Sequence, residues 1–150
     1  MSRPVPKIPP RFDALMFATR TGGAATDDFE SSGYGPSAAN MKASGAVRVP
    51  IDRYVRLKSW SSFVWDNGQA QTISVPAQAV VFRLYLERLG TQAHAAAGQT
   101  VIATSQAGAS DSGPLDVLLL PNDVLIASWR GIANAGGTGY CRLLGDAVLL

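Results

Sequence analysis

The sequence predicts an all-β chain, a single β-sandwich or jelly-roll-like domain preceded by an extended N-terminal arm. Three observations carry that expectation. Apolar residues recur at every second position in several stretches, as on a strand with one buried face. Gly, Pro, Asn and Asp break those stretches into about eight short runs, with no alternation of strand and helix units. No repeat of fixed period links the runs, which argues against a solenoid or propeller. At 150 residues the chain has the length of one domain with one core.

Residues 1–45 read as the arm and residues 46–150 as the β-domain. Pro4, Pro6, Pro9 and Pro10 favour extended backbone, and Gly22, Gly23, Gly33, Gly35 and Pro36 interrupt the second half of the arm. Phe12, Leu15, Met16 and Thr19 have helical spacing, whereas Phe12, Ala14, Met16 and Ala18 alternate like a strand, and both readings stand. With Phe12, Met16, Phe17, Phe29 and Tyr34 the arm is too apolar for a solvated tail. It is expected to lie against its own domain or a neighbouring subunit, with Phe12, Met16 and Phe17 as anchors. Arg3, Lys7 and Arg11 give it a weakly basic character, enough to neutralise a few phosphates.

From Val47 the period is two, with Val47, Val49, Ile51, Val55 and Leu57 on one face and Arg48, Asp52, Tyr54, Arg56 and Lys58 on the other. Asp66-Asn67-Gly68 separates Ser61–Trp65 from Gln71–Val75 and predicts a tight hairpin, because Asn-Gly suits a turn with positive φ. Val80, Phe82, Leu84 and Leu86 alternate with Val81, Arg83, Tyr85 and Glu87, a strand pattern that leaves a short helix through Leu84, Arg88 and Leu89 open. The expected inward set is Val49, Ile51, Val55, Val80, Phe82, Leu84 and Leu86. A loop over Gly90–Gly98 precedes a strand through Thr100–Thr104, and a second loop over Gly108–Pro114 precedes Leu115–Leu120. Pro121-Asn122-Asp123 is a turn in which Asn and Asp bond back to their own backbone, and Val124–Trp129 is the next strand. Gly136–Gly139 is read as a turn before a last pair, Tyr140–Leu144 and Ala147–Leu150, separated at Gly145-Asp146.

Composition removes most common enzyme designs. Hydrophobic residues make up 47% and charged residues 16%, and the net charge of +2 offers no broad field to nucleic acid or an anionic membrane. One cysteine excludes an internal disulfide and a thiolate zinc site, and one histidine leaves most metal and acid–base sets incomplete. His94 has no Ser, Cys or carboxylate at a local spacing that names it a catalytic partner. Cys141 alternates with Tyr140 and Arg142 and reads as a small buried hydrophobe. Asp27, Asp28 and Glu30 match no calcium loop, and Asp111 reads as turn chemistry within Ser110–Pro114. Gly136–Gly139 has no following Lys and is no phosphate loop. Neither cofactor nor metal is expected. The polar, proline-broken start carries no export signal, and no apolar run of about twenty residues is free of charge. Synthesis in a cytoplasm is the expectation.

Trp60, Trp65 and Trp129, with Tyr85, suit a core, a subunit interface or a platform for sugar rings. The run Leu118–Ser128, a strand, a Pro-Asn-Asp turn and a second strand, resembles the closing part of small β-sandwich structural proteins of tailed bacteriophage virions. The hairpin region Val49–Val75 is similar in style. That resemblance implies a capsid decoration, head-to-tail or tail-associated subunit in the virion, a non-enzymatic protein that contacts copies of itself and other virion proteins such as capsid, portal or tail. Few charges and many small residues suit surfaces buried between copies. Nucleic-acid contact is expected only weakly, through the arm, and membrane contact not at all. The alternatives are a carbohydrate-binding module that exposes Trp60, Trp65 or Trp129, and a small hydrolase built on His94.

Overall fold

The computed structural model describes residues 11–20, 29–33, 41–66, 71–72, 81–88, 99–105, 110–130 and 137–149. Among them there is no helix, and the strands form two antiparallel sheets packed face to face as a β-sandwich. In chain order the strands are β1 (Arg11–Arg20), β2 (Phe29–Glu30), β3 (Met41–Ala43), β4 (Val47–Arg48), β5 (Arg53–Asp66) and β6 (Gln71–Thr72). They continue with β7 (Val81–Glu87), β8 (Gln99–Ser105), β9 (Ser110–Leu119), β10 (Val124–Arg130) and β11 (Gly137–Leu149). The first sheet runs β3-β1-β11-β5, with β9 and the short β6 sharing the far edge of β5. The second runs β8-β7-β10, with β2 and β4 sharing the far edge of β10.

The first correction concerns the arm. Residues 11–20 are a strand of the first sheet, paired with β11 from Arg11↔Asp146 to Arg20↔Gly137 and flanked on the other side by β3. Strand parity, not helical spacing, governs the segment: Met16 and Ala18 are fully buried, and Phe12 and Ala14 pack against the core. Met16 also links the sheets, its Sδ accepting from Ser31 Oγ at 3.8 Å, while Ser31 Oγ accepts the Ala127 N–H of β10 at 3.0 Å. Arg3 and Lys7 lie outside the described residues.

The second correction is at Ile51. Val47 to Leu57 is no single strand, because β4 belongs to the second sheet and β5 to the first. The chain turns the corner at Pro50–Asp52, where proline has no N–H to give a ladder. Ile51 sits on that corner, 74% exposed, whereas Val49, Val55 and Leu57 on either side are buried. The corner is held by the turn at Asn122: Val49 N–H donates to the Asp123 carbonyl at 2.8 Å, and Asn122 N–H to the Val49 carbonyl at 2.9 Å. The buried Asp123 carboxylate accepts the Leu120 N–H at 2.8 Å, the expected bond back to local backbone, whereas Asn122 contributes a φ of +69° and its main-chain N–H rather than a side-chain bond.

Phe82, Leu84 and Leu86 point inward as their alternation predicts, and β7 is strand to Glu87. Val80 lies outside the described residues. The hairpin after β5 is present as antiparallel β5–β6 pairing, although residues 67–70 are not described. Three expected breaks are instead strand, the first being Gly137–Gly139 of the expected Gly136–Gly139 turn, which opens β11 paired with Val64–Asp66 of β5. Ser110–Pro114 opens β9, whose only partner strand among the described residues is β5, so Pro114 sits where a missing N–H is tolerated. Gly145-Asp146 lies inside β11 at a register shift. A Cβ on Gly145 would run into the Arg56 carbonyl, so the residue marks a close approach of two backbones rather than a turn.

That irregularity sets the core. In β5 the buried residues are Val55 and Leu57 before the shift and Trp60, Ser62 and Val64 after it, so the inward parity changes between Leu57 and Ser59. Trp60 therefore turns inward and stacks on Phe82 with ring centroids 5.3 Å apart, and Phe82 meets Trp129 at 5.7 Å. Trp129 is fully buried, and its Nε1–H donates to Ser62 Oγ at 2.9 Å, which removes the cost of burying the indole N–H. Gly113 and Gly139 underlie Trp60 and Trp129, and a Cβ at either would occupy space the indole fills. Cys141 is buried on the same face, and burial pushes its thiol up to about 12.

Candidate functional site

With odd residues of β1 and even residues of β11 turned away from the core, the outer face of the first sheet collects side chains in cross-strand rows. Phe17 pairs with Tyr140, and Tyr140 with Phe63 on the next strand. The Phe63 and Tyr140 rings stack at 4.8 Å and 17°, and Phe17 lies on the other side of Tyr140 at 6.4 Å. Trp65, two residues along β5, is 38% exposed and Phe63 43%. Leu15 extends the apolar surface along β1, while on β11 Arg142 stands between Tyr140 and the exposed Leu144. Thr19 and Thr138 close its far end with a hydroxyl–hydroxyl hydrogen bond of 2.9 Å.

From the Leu15 row onward the face becomes ionic, with Arg142 opposite Leu15 and Asp13 opposite Leu144, and most of its charges are matched. Arg142 grips Asp13 with two hydrogen bonds, Nε–Oδ1 at 3.0 Å and Nη2–Oδ2 at 2.6 Å. Lys58 meets Asp146 at 2.6 Å and Arg56 meets Asp116 at 3.4 Å. The Arg142 hydrogen bond, with the charge of the same guanidinium, holds the Asp13 carboxyl below the usual range against the opposing effect of desolvation. A shallow hollow of about 390 Å³ is lined by Arg11, Asp13, Lys58, Arg142 and Asp146, and a more open one of about 600 Å³ lies beside it over Ser59, Ser61 and Ser112. An anion entering here competes with carboxylates already seated on Arg142 and Lys58.

The residues that stand out in the sequence divide between the two faces of this sheet. Met16 belongs to the chain's own core and is not free to anchor a neighbour, Phe12 is half-buried against that core, and Phe17 alone of the three faces outward with Tyr140. Arg11 is exposed at the start of β1. Trp60 and Trp129 are core residues and no part of a sugar platform, because the parity change in β5 and the inward parity of β10 bury them. Trp65 is exposed, but the rings beside it turn their faces to each other rather than to solvent, unlike a flat platform for a pyranose. Phe63 and Tyr140 carry the face, and sequence reasoning does not single them out. A signal for them exists all the same: once Val64 and Cys141 are inward, their neighbours Phe63 and Tyr140 must point out.

His94, Asp27 and Asp28 lie outside the described residues. Among the described residues no three His, Cys, Asp or Glu side chains converge on a metal position, and no helix is long and apolar enough to cross a membrane. Asp111, expected in a turn, instead lies in β9 and accepts from Ser105 Oγ of β8 at 2.5 Å, which ties one sheet to the other. No protein-family model matches the chain, and no curated protein matches it in sequence.

Proposed function

We propose that this chain is a non-enzymatic structural subunit of a tailed-phage virion, a decoration, head-to-tail or tail-associated protein that works by contact with copies of itself and with other virion proteins. The observation that carries this reading is the outer face of the first sheet. Leu15, Phe17, Tyr140, Phe63 and Trp65 form one apolar and aromatic surface open to water. A sandwich already has a full core between its sheets, so a second apolar surface on the outside is unfavourable in isolation and favourable when covered. Its make-up, aromatic residues and Arg with few unpaired charges, is that of an interface core. The virion assignment itself rests on the likeness of Leu118–Ser128 and Val49–Val75 to phage sandwich proteins.

The test is the fate of the chain during phage growth. Expressed with its phage, it should sediment with purified particles, in many copies per particle by quantitative mass spectrometry. Recovery only as free chain, with particles complete without it, would remove the virion reading. Quenching of Trp65 fluorescence by oligosaccharides at the same time would favour a carbohydrate-binding module.

A further inference from the structure

We infer that the outer face of the first sheet closes on the same face of a second copy of this chain, aromatic end over aromatic end. The inference rests on the assembly reading above and adds the surface and the partner. The size of the face fits: the four long strands, β1-β11-β5-β9, span about 19 Å, and ten residues of strand span about 33 Å, so the face covers on the order of 600 Å² before the short β3 is added. That reaches the lower end of what one partner buries in a stable interface.

Charge narrows the choice of partner. Arg142, Lys58 and Arg56 are already paired with Asp13, Asp146 and Asp116 within the chain. Among the described cations of this face only Arg11 and Lys42 lack a carboxylate. A polyanion or an acidic protein would otherwise compete with carboxylates covalently tethered beside the rest, and a basic partner would meet those two cations. The surface that fits is aromatic at one end and largely charge-matched along the rest, and this face is one. Like faces meet in an isologous pair, each supplying the same patch. Laid with their strands running the same way, two copies bring the Phe17–Tyr140–Phe63 row of one onto that of the other and keep the ionic rows together at the far end, where their pairs remain intact.

The experiment is sedimentation velocity on the full chain from about 1 to about 100 µM, with Phe63→Lys and Leu15→Lys on the face and Ile51→Lys at the corner as control. Leu15, Phe63 and Ile51 are 59%, 43% and 74% exposed, so each lysine can reach water in the monomer. Circular dichroism and an unreactive Cys141 thiol report that each variant is folded. The wild-type chain should form a species of two chains or a multiple of two. Both face variants should raise its dissociation constant about a hundredfold or more, and the corner variant should leave it within about threefold. A wild-type chain that stays monomeric at the top concentration, or folded face variants that associate like wild type, would overturn the inference. Its failure is separable from failure of the virion reading: incorporation into particles without pairing sinks only the pairing, and pairing without incorporation sinks only the virion role.

Discussion

The two faces of the first sheet carry similar aromatic residues on the same strands and use them in opposite ways. Inside, Trp60 joins Trp129 of the facing sheet; each lies over a glycine and against Phe82, and the Trp129 N–H is satisfied by Ser62. Outside, Phe63 stacks on Tyr140 and Phe17 lies tilted against it, with water beyond. The inner set gains the full hydrophobic term on folding, whereas the outer set keeps much of its transfer energy in reserve until something covers it. Aromatic content therefore says little about role here. Strand parity decides it, and parity in β5 is reset at the bulge beside Lys58.

This contrast breaks first at β1. A chain that starts at Val47 lacks β1, the strand between β3 and β11, along with Met16 and Ala18, and is expected not to fold at all. Far-UV circular dichroism and the loss of a cooperative melt read this directly. A folded truncated domain would restore the independent arm. The point version, Met16→Ala, should cost about 2–5 kcal/mol by lost transfer energy and a cavity.

The next largest effect separates the faces. Trp129→Ala should lower the unfolding free energy by about 3–5 kcal/mol, since it empties the centre of the core and strands the Ser62 hydroxyl. Phe63→Ala, a ring of similar chemistry on the other side of the sheet, should cost no more than about 1 kcal/mol in the monomer. Denaturant titration of both variants at low protein concentration makes the comparison. Equal costs would mean that the outer rings are part of the fold and hold nothing back for a partner.

The smallest effect belongs to the ionic rows. Asp13 is exposed and its carboxyl is held below the ordinary range chiefly by the Arg142 hydrogen bond. A depressed folded value means that its contribution is present above the unfolded pKa, near 4, and is lost as pH falls through the folded value. Solvent screening keeps that contribution slight. Asp13→Asn should therefore leave the melting temperature almost unchanged at pH 7 and slightly flatten its fall in acid. A large loss at neutral pH would show that the pair does more than neutralise the face.

Much of the sandwich is legible in the residues. Alternation places β7 and buries Phe82, Leu84 and Leu86, β-prone residues mark β8, the apolar run after the turn marks β10, and Pro121-Asn122-Asp123 declares its turn through local chemistry. What escapes depends on distant strands. Pro50 marks a break, but only pairing of β4 with β10 and of β5 with β11 shows that the chain changes sheets there and leaves Ile51 outside. Gly145 looks like a turn until Arg56 is brought against it. Met16 has equal claims to helix, strand and arm until β11 supplies ten residues of register. The candidate face is half visible: Phe17 and Trp65 stand out by residue type and position, while Phe63 and Tyr140 require the parity of their neighbours.

Hydroxyl-radical footprinting of the chain, free at low concentration and in its assembled form, tests most directly whether the outer face is the contact surface. Oxidation of Phe63, Tyr140 and Trp65 should be strong in the free chain and fall sharply on assembly, while Trp129 stays protected in both and exposed Ile51 is modified in both. Equal modification of the outer rings before and after assembly would contradict the account.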